Sequence, residues 1–100
     1  MAKFDLYDGE AVLVSVTIPP RQNAVWFGFG GWFYYDGDLQ ITVTFEKGAE
    51  KYTITEYGTG VWNKVGSLWE AENDEGFEVK ISFLAGGPTS LALYEFYGGI

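Results

Sequence analysis

Along most of this chain, apolar and polar residues alternate with a period of two. Leu39, Ile41, Val43 and Phe45 interleave with Gln40, Thr42, Thr44 and Glu46, and Phe77, Val79, Ile81 and Phe83 interleave with Glu78, Lys80 and Ser82. Successive side chains of a strand point to opposite faces, so each run specifies a strand with one buried face. Val12, Val14, Val16 and Ile18 make a third such row, and Tyr52 and Ile54 share one side of "KYTIT". β-Branched and aromatic residues fill these runs, and no segment carries a helical spacing of apolar positions. No helix longer than a turn or two is expected.

Turn residues fall between the runs. Asp8-Gly9 and Asp36-Gly37 read as two-residue hairpin turns, and Lys47-Gly48, Gly58-Thr59-Gly60, Asn73 to Gly76 and Gly86-Gly87-Pro88 supply further breaks. Pro19-Pro20 cannot donate to a ladder and closes the second strand. This punctuation gives about eight strands, at roughly 3–7, 10–18, 24–35, 38–46, 50–57, 61–72, 76–84 and 90–97. "YDGEAVLVSVT" from Tyr7 and "YDGDLQITVTF" from Tyr35 echo each other, which reads as two hairpins sharing one turn chemistry rather than as a repeat. The expectation is a single all-β domain over residues 1–100. Its architecture is an antiparallel two-sheet β-sandwich, jelly-roll-like or another Greek key, because one open sheet would leave too much aromatic surface wet.

Charge and composition remove several function classes. Six Lys and Arg against fourteen Asp and Glu give a net charge of −8, which repels nucleic-acid backbones and anionic headgroups. With no Cys and no His, the chain has no disulfide, no zinc site of the usual ligands, and neither a Ser-His-Asp nor a Cys-His arrangement. It has no apolar run long enough to span a bilayer and no signal-peptide pattern after Met1, and it reads as a soluble protein or as a domain cut from a longer one.

The unusual stretch is "AVWFGFGGWFYYDGD", Ala24 to Asp38. As one strand, it places Val25, Phe27, Phe29, Phe33 and Tyr35 on one face, and Trp26, Gly28, Gly30, Trp32 and Tyr34 on the other. Three readings of the second face compete. Trp26, Trp32 and Tyr34 could offer flat rings beside a glycine-floored trough, a platform on which sugar rings stack. Trp26 and Trp32 would lie about 20 Å apart, a span that suits a polysaccharide better than a monosaccharide. Alternatively Gly30-Gly31 is a bulge, the alternation slips by one, and Trp32 and Tyr34 turn inward while Phe33 and Tyr35 turn out. Thirdly, the aromatic face meets another protein or another copy of the chain.

Other residues add candidates. Trp62 and Trp69 flank "NKVGS"; Trp69 reads as core, and Trp62 joins the ligand-binding set. In "SLALYEFYGGI", Leu91 and Leu93 alternate with Ala92, Tyr94 and Phe96, as in a strand covered on both faces. Asp36 with Asp38, and Glu70 with Glu72, are the paired carboxylates that glycosidic hydrolysis would need, but nothing places one of them in an apolar pocket. Asp36 and Asp38, like the Asn73-Asp74-Glu75 cluster, suit calcium better as oxygen ligands at turns.

The leading expectation is a non-catalytic module that binds carbohydrate through Trp26, Trp32, Tyr34 and Trp62, with Asp36 and Asp38 as candidate calcium ligands and no other cofactor. The alternatives are a self-assembling virion or surface component that forms a homo-oligomer, and an acidic inhibitor of a basic protein.

Overall fold

The computed structural model describes residues 2–20, 26–45, 51–57, 62–70 and 77–99. They form eight strands: β1 (Ala2–Leu6), β2 (Ala11–Ile18), β3 (Trp26–Asp36), β4 (Asp38–Phe45), β5 (Lys51–Tyr57), β6 (Trp62–Glu70), β7 (Phe77–Ala85) and β8 (Thr89–Gly99). Among the described residues there is no helix, and hence none long and apolar enough to cross a membrane. The expected breaks at Lys47-Gly48, Gly58 to Gly60 and Asn73 to Gly76 lie outside the described residues, as does the Trp69 side chain.

Two four-stranded antiparallel sheets face each other, a front sheet in the order β1-β8-β3-β6 and a back sheet in the order β2-β7-β4-β5. β1 pairs with β8, β2 with β7, β3 with β6 and β4 with β5, so the chain is in effect folded in half. Pairing of β3 with β8 and of β4 with β7 then closes each half into a continuous sheet. This is jelly-roll topology, as expected.

The core lies between the sheets. Leu6, Phe29, Phe33, Tyr35, Val65, Leu91 and Leu93 bury from the front sheet, and Val16, Ile18, Leu39, Ile41, Val43, Val79, Ile81 and Phe83 from the back. Phe83 bridges the layers. Its ring centroid is 5.5 Å from that of Phe33 and 5.9 Å from that of Phe96, with tilted and edge-on geometries that aromatic pairs favour.

The two Asp-Gly turns do not make hairpins. β1 and β3 belong to the front sheet while β2 and β4 belong to the back, so both turns carry the chain from one layer to the other. A type I′ hairpin turn needs positive φ at both central residues, but here only the glycines have it, Gly9 at +85° and Gly37 at +121°. Positive φ at Gly9 with the Glu10 N–H donating to the Tyr7 carbonyl, at 3.0 Å, fits a type II turn, whose twist splays strands apart. The sequence echo from Tyr7 and Tyr35 thus reflects two equivalent layer crossings. Both dock on the β7–β8 turn: the Gly9 N–H donates to the Ala85 carbonyl (2.8 Å) and the Gly86 N–H to the Asp38 carbonyl (3.1 Å). The buried Thr89 hydroxyl, 2.9 Å from the carbonyl oxygens of both Asp38 and Gly87, shares its proton between them.

β3 keeps its alternation through Gly30-Gly31. Phe33 and Tyr35 are buried and Trp32 is exposed, which rules out the slipped arrangement. The irregularity sits on the neighbouring strand. Between Gly30↔Tyr97 and Trp32↔Tyr94, β8 spends one more residue than β3, and Glu95 within this bulge has φ +56°. The extra residue reverses the facing of the residues after it. Phe96 therefore turns toward the core, and Tyr94 and Tyr97 both face out, so β8 is a central strand but is not covered on both faces.

The glycines serve these rings. A Cβ on Gly31 would stand 2.7 Å from Phe96 Cγ on the inner side, while one on Gly30 would stand 3.1 Å from the Tyr97 hydroxyl on the outer side. Gly31→Ala is expected to lower stability by about 1–3 kcal/mol, and by much less in a Phe96→Ala background, as a urea-denaturation double-mutant cycle would show. Glu95→Val is expected to be less stable than Glu95→Gly by about 1–2 kcal/mol in the same assay, because a β-branched side chain resists left-handed backbone.

Candidate functional site

Among the described residues, the outward positions of the front sheet carry most of the exposed rings. Trp26, Trp32, Trp62, Tyr94 and Tyr97 are each between 40% and 58% exposed, whereas Phe29, Phe33 and Tyr35 on the inner face are buried. Strand register arranges them in rows. Tyr34 lies between Ala92 of β8 and Trp62 of β6; Trp32 lies between Tyr94 and Lys64; Gly30 lies between Tyr97 and Gly66; and Gly28 lies between Gly99 and Leu68. Trp26 opposes Glu70 at the far end of β3.

Three of the four ring residues expected from sequence come together. The Tyr34 and Trp62 rings have centroids 5.8 Å apart with planes at 54°, and Trp32 occupies the next row on the same face. Trp26 stands apart, six residues along β3 from Trp32, or about 20 Å at strand rise. Over the middle of that interval the expected trough is partly filled, because the phenol end of Tyr97 lies over Gly30.

Two hollows open on this face, each of about 390 Å³, and Trp62 walls both. The first is lined by Lys3, Asp5, Tyr34, Trp62, Ser90 and Ala92. Ala92 is small and buried and forms its floor, and the Ser90 hydroxyl donates to Asp5 Oδ1 at 3.2 Å, leaving carboxylate lone pairs free to accept. Ring faces thus meet polar groups of both signs. The second hollow is lined by Trp32, Trp62, Tyr94 and Glu95. Lys64 Nζ lies 6.0 Å from the Trp32 ring centroid, at the outer limit of a cation–π contact.

Tyr94, Tyr97 and the polar trio of Lys3, Asp5 and Ser90 were not found from sequence. For the tyrosines the signal was masked by the bulge, since alternation read without it pairs Tyr94 with Phe96.

Gly37 separates Asp36 and Asp38. Asp36 ends β3 in register with Ser90, on the front sheet, whereas Asp38 begins β4 in the back sheet and offers its main-chain carbonyl to the β7–β8 turn. Among the described residues no group of three Asp, Glu, His or Cys side chains is placed to hold a metal. Asn73-Asp74-Glu75, Glu72 and the Glu70 side chain lie outside the described residues.

No protein-family model matches this chain, and no curated protein matches it in sequence. Solved structures do match its fold. TmCBM61, solved in complex with β-1,4-galactotriose, aligns over 96% of this chain and 67% of its own with a TM-score of 0.73 and 14% identity. A second structure, described as family 16 carbohydrate binding module-2, aligns over 96% of this chain and 74% of its own with a TM-score of 0.60 and 12% identity. At such identities the likeness is one of fold: the chain is an antiparallel β-sandwich of the kind these two modules share.

Proposed function

We propose that this protein is a non-catalytic carbohydrate-binding module whose ligand lies on the outer face of the front sheet, against Trp32, Tyr34, Trp62 and Tyr94. The observation that carries this reading is the pair of hollows on either side of Trp62, which combine ring faces with hydrogen-bonding groups. A pyranose ring has the same dual character. Its C–H face is apolar and packs on Trp or Tyr, while its rim of hydroxyls needs donors and acceptors such as Asp5, Ser90, Lys3, Tyr O–H and Trp N–H. The fold shared with two carbohydrate-binding modules supports the same reading.

Two points favour binding without catalysis. Each hollow is lined by one carboxylate, Asp5 or Glu95, whereas glycosidic hydrolysis takes two that flank the bond. The chain has no His or Cys to serve as a general base or nucleophile.

The experiment is retention on a panel of neutral polysaccharides, including β-1,4-galactan, in affinity gels. Trp32→Ala is expected to weaken retention at least about tenfold, or about 1.4 kcal/mol, with far-UV circular dichroism unchanged and the protein still folding cooperatively, because the ring lies outside the core. Retention is expected to survive chelator, since Asp36 and Asp38 enter different sheets. Light scattering is expected to give a monomer; a stable oligomer dissociated by Trp32→Ala would place the aromatic face against a second copy instead.

A further inference from the structure

We infer that the occupant of this face is an extended, unbranched glycan that runs parallel to β3 and β8, from the polar hollow at Tyr34 and Trp62 to Trp26. This inference rests on the carbohydrate reading and adds to it the direction and length of the site.

The spacing of the rings sets the direction. Outward positions on a strand recur every two residues, or about 7 Å, which is of the order of one pyranose unit. Going down β3 from Tyr34, the successive rows present Tyr34 with Trp62, then Trp32 with Tyr94, then Tyr97 over Gly30. The next row is Gly28 with Gly99, where a Cβ on Gly99 would meet nothing within 4 Å, and Trp26 comes last. From Tyr34 to Trp26 is eight residues, about 26 Å, enough for roughly four or five sugar units at one per row. Gly30 lets the Tyr97 phenol lie low on the sheet, so the row between the two tryptophans presents a ring rather than bare backbone. A chain crossing the strands would instead leave Trp26 and Tyr97 unused. Trp26, an exposed indole at the strand end, becomes the last contact of the path.

The two ends differ in chemistry. The Tyr34 end offers Lys3, Asp5 and Ser90 and reads hydroxyl geometry, whereas Tyr97 and Trp26 offer ring surface and add affinity with length. Specificity is therefore set at one end and avidity along the strip.

The test is calorimetric titration with β-1,4-linked galacto-, gluco- and manno-oligosaccharides of two to six units. For whichever series binds, affinity is expected to rise at least tenfold from dimer to hexamer. Trp26→Ala is expected to leave dimer affinity within about twofold and to remove most of the hexamer's gain, and Tyr97→Ala to remove part of it. Circular dichroism of both variants checks that they fold. Binding that does not change with length, or a hexamer affinity untouched by both Trp26→Ala and Tyr97→Ala, overturns this inference while leaving the carbohydrate reading in place. Failure of the wild-type protein to bind any of the three series overturns both.

Discussion

The front sheet depends on how two consecutive glycines of β3 meet two consecutive aromatic residues of β8. Gly31 faces the core and receives the Phe96 ring; Gly30 faces out and receives the Tyr97 phenol. This arrangement places the bulge on β8, where Glu95 takes left-handed backbone, and leaves β3 regular. Because β3 is regular, Phe29, Phe33 and Tyr35 all reach the core, and Trp26, Trp32 and Tyr34 share the opposite face. Had the bulge lain at Gly30-Gly31 of β3, Phe33 and Tyr35 would have faced out, and Trp32 and Tyr34 would have been packing rather than surface.

The second constraint is topological. A chain folded in half brings β1 to β8, β2 to β7 and β3 to β6, so nearly every connection must cross between layers. The Asp-Gly turns serve this purpose with a single left-handed glycine each, and both are pinned by backbone hydrogen bonds to the β7–β8 turn. That cluster of corners fixes the upper end of the sandwich. Asp5 and Ser90, which line the polar hollow, sit at strand positions next to these corners, so the hollow's hydrogen-bonding groups rest on an anchored part of the fold.

Much of this was legible in the residues. The rows Leu39-Ile41-Val43 and Val79-Ile81-Phe83 announce their buried face directly, because each strand obeys a strict period of two. Trp32 and Tyr34 were legible as amphipathic rings out of phase with a phenylalanine row, though which face they took turned on Gly30-Gly31, and no local pattern decided the facing of Trp62. Tyr94 and Tyr97 were not, since a single bulged residue inverts the pattern and Glu95 is not a residue that advertises positive φ. The Asp-Gly turns misled for a related reason: the dipeptide states that the chain reverses, while the layer to which it returns is decided by long-range pairing. Likewise, Lys3, Asp5 and Ser90 carry no local pattern; only the β1–β8 register brings them together.

The central claim is that the outer face of the front sheet, and no other surface, meets carbohydrate. The most direct measurement is a nuclear magnetic resonance titration of isotope-labelled protein with soluble neutral polysaccharides, following backbone amides and indole N–H groups. The account predicts shifts concentrated at Trp32, Tyr34, Trp62 and Tyr94, with Thr42, Thr44 and Ser82 on the back sheet unmoved. Shifts centred on the back sheet, or none with any polysaccharide, would contradict it.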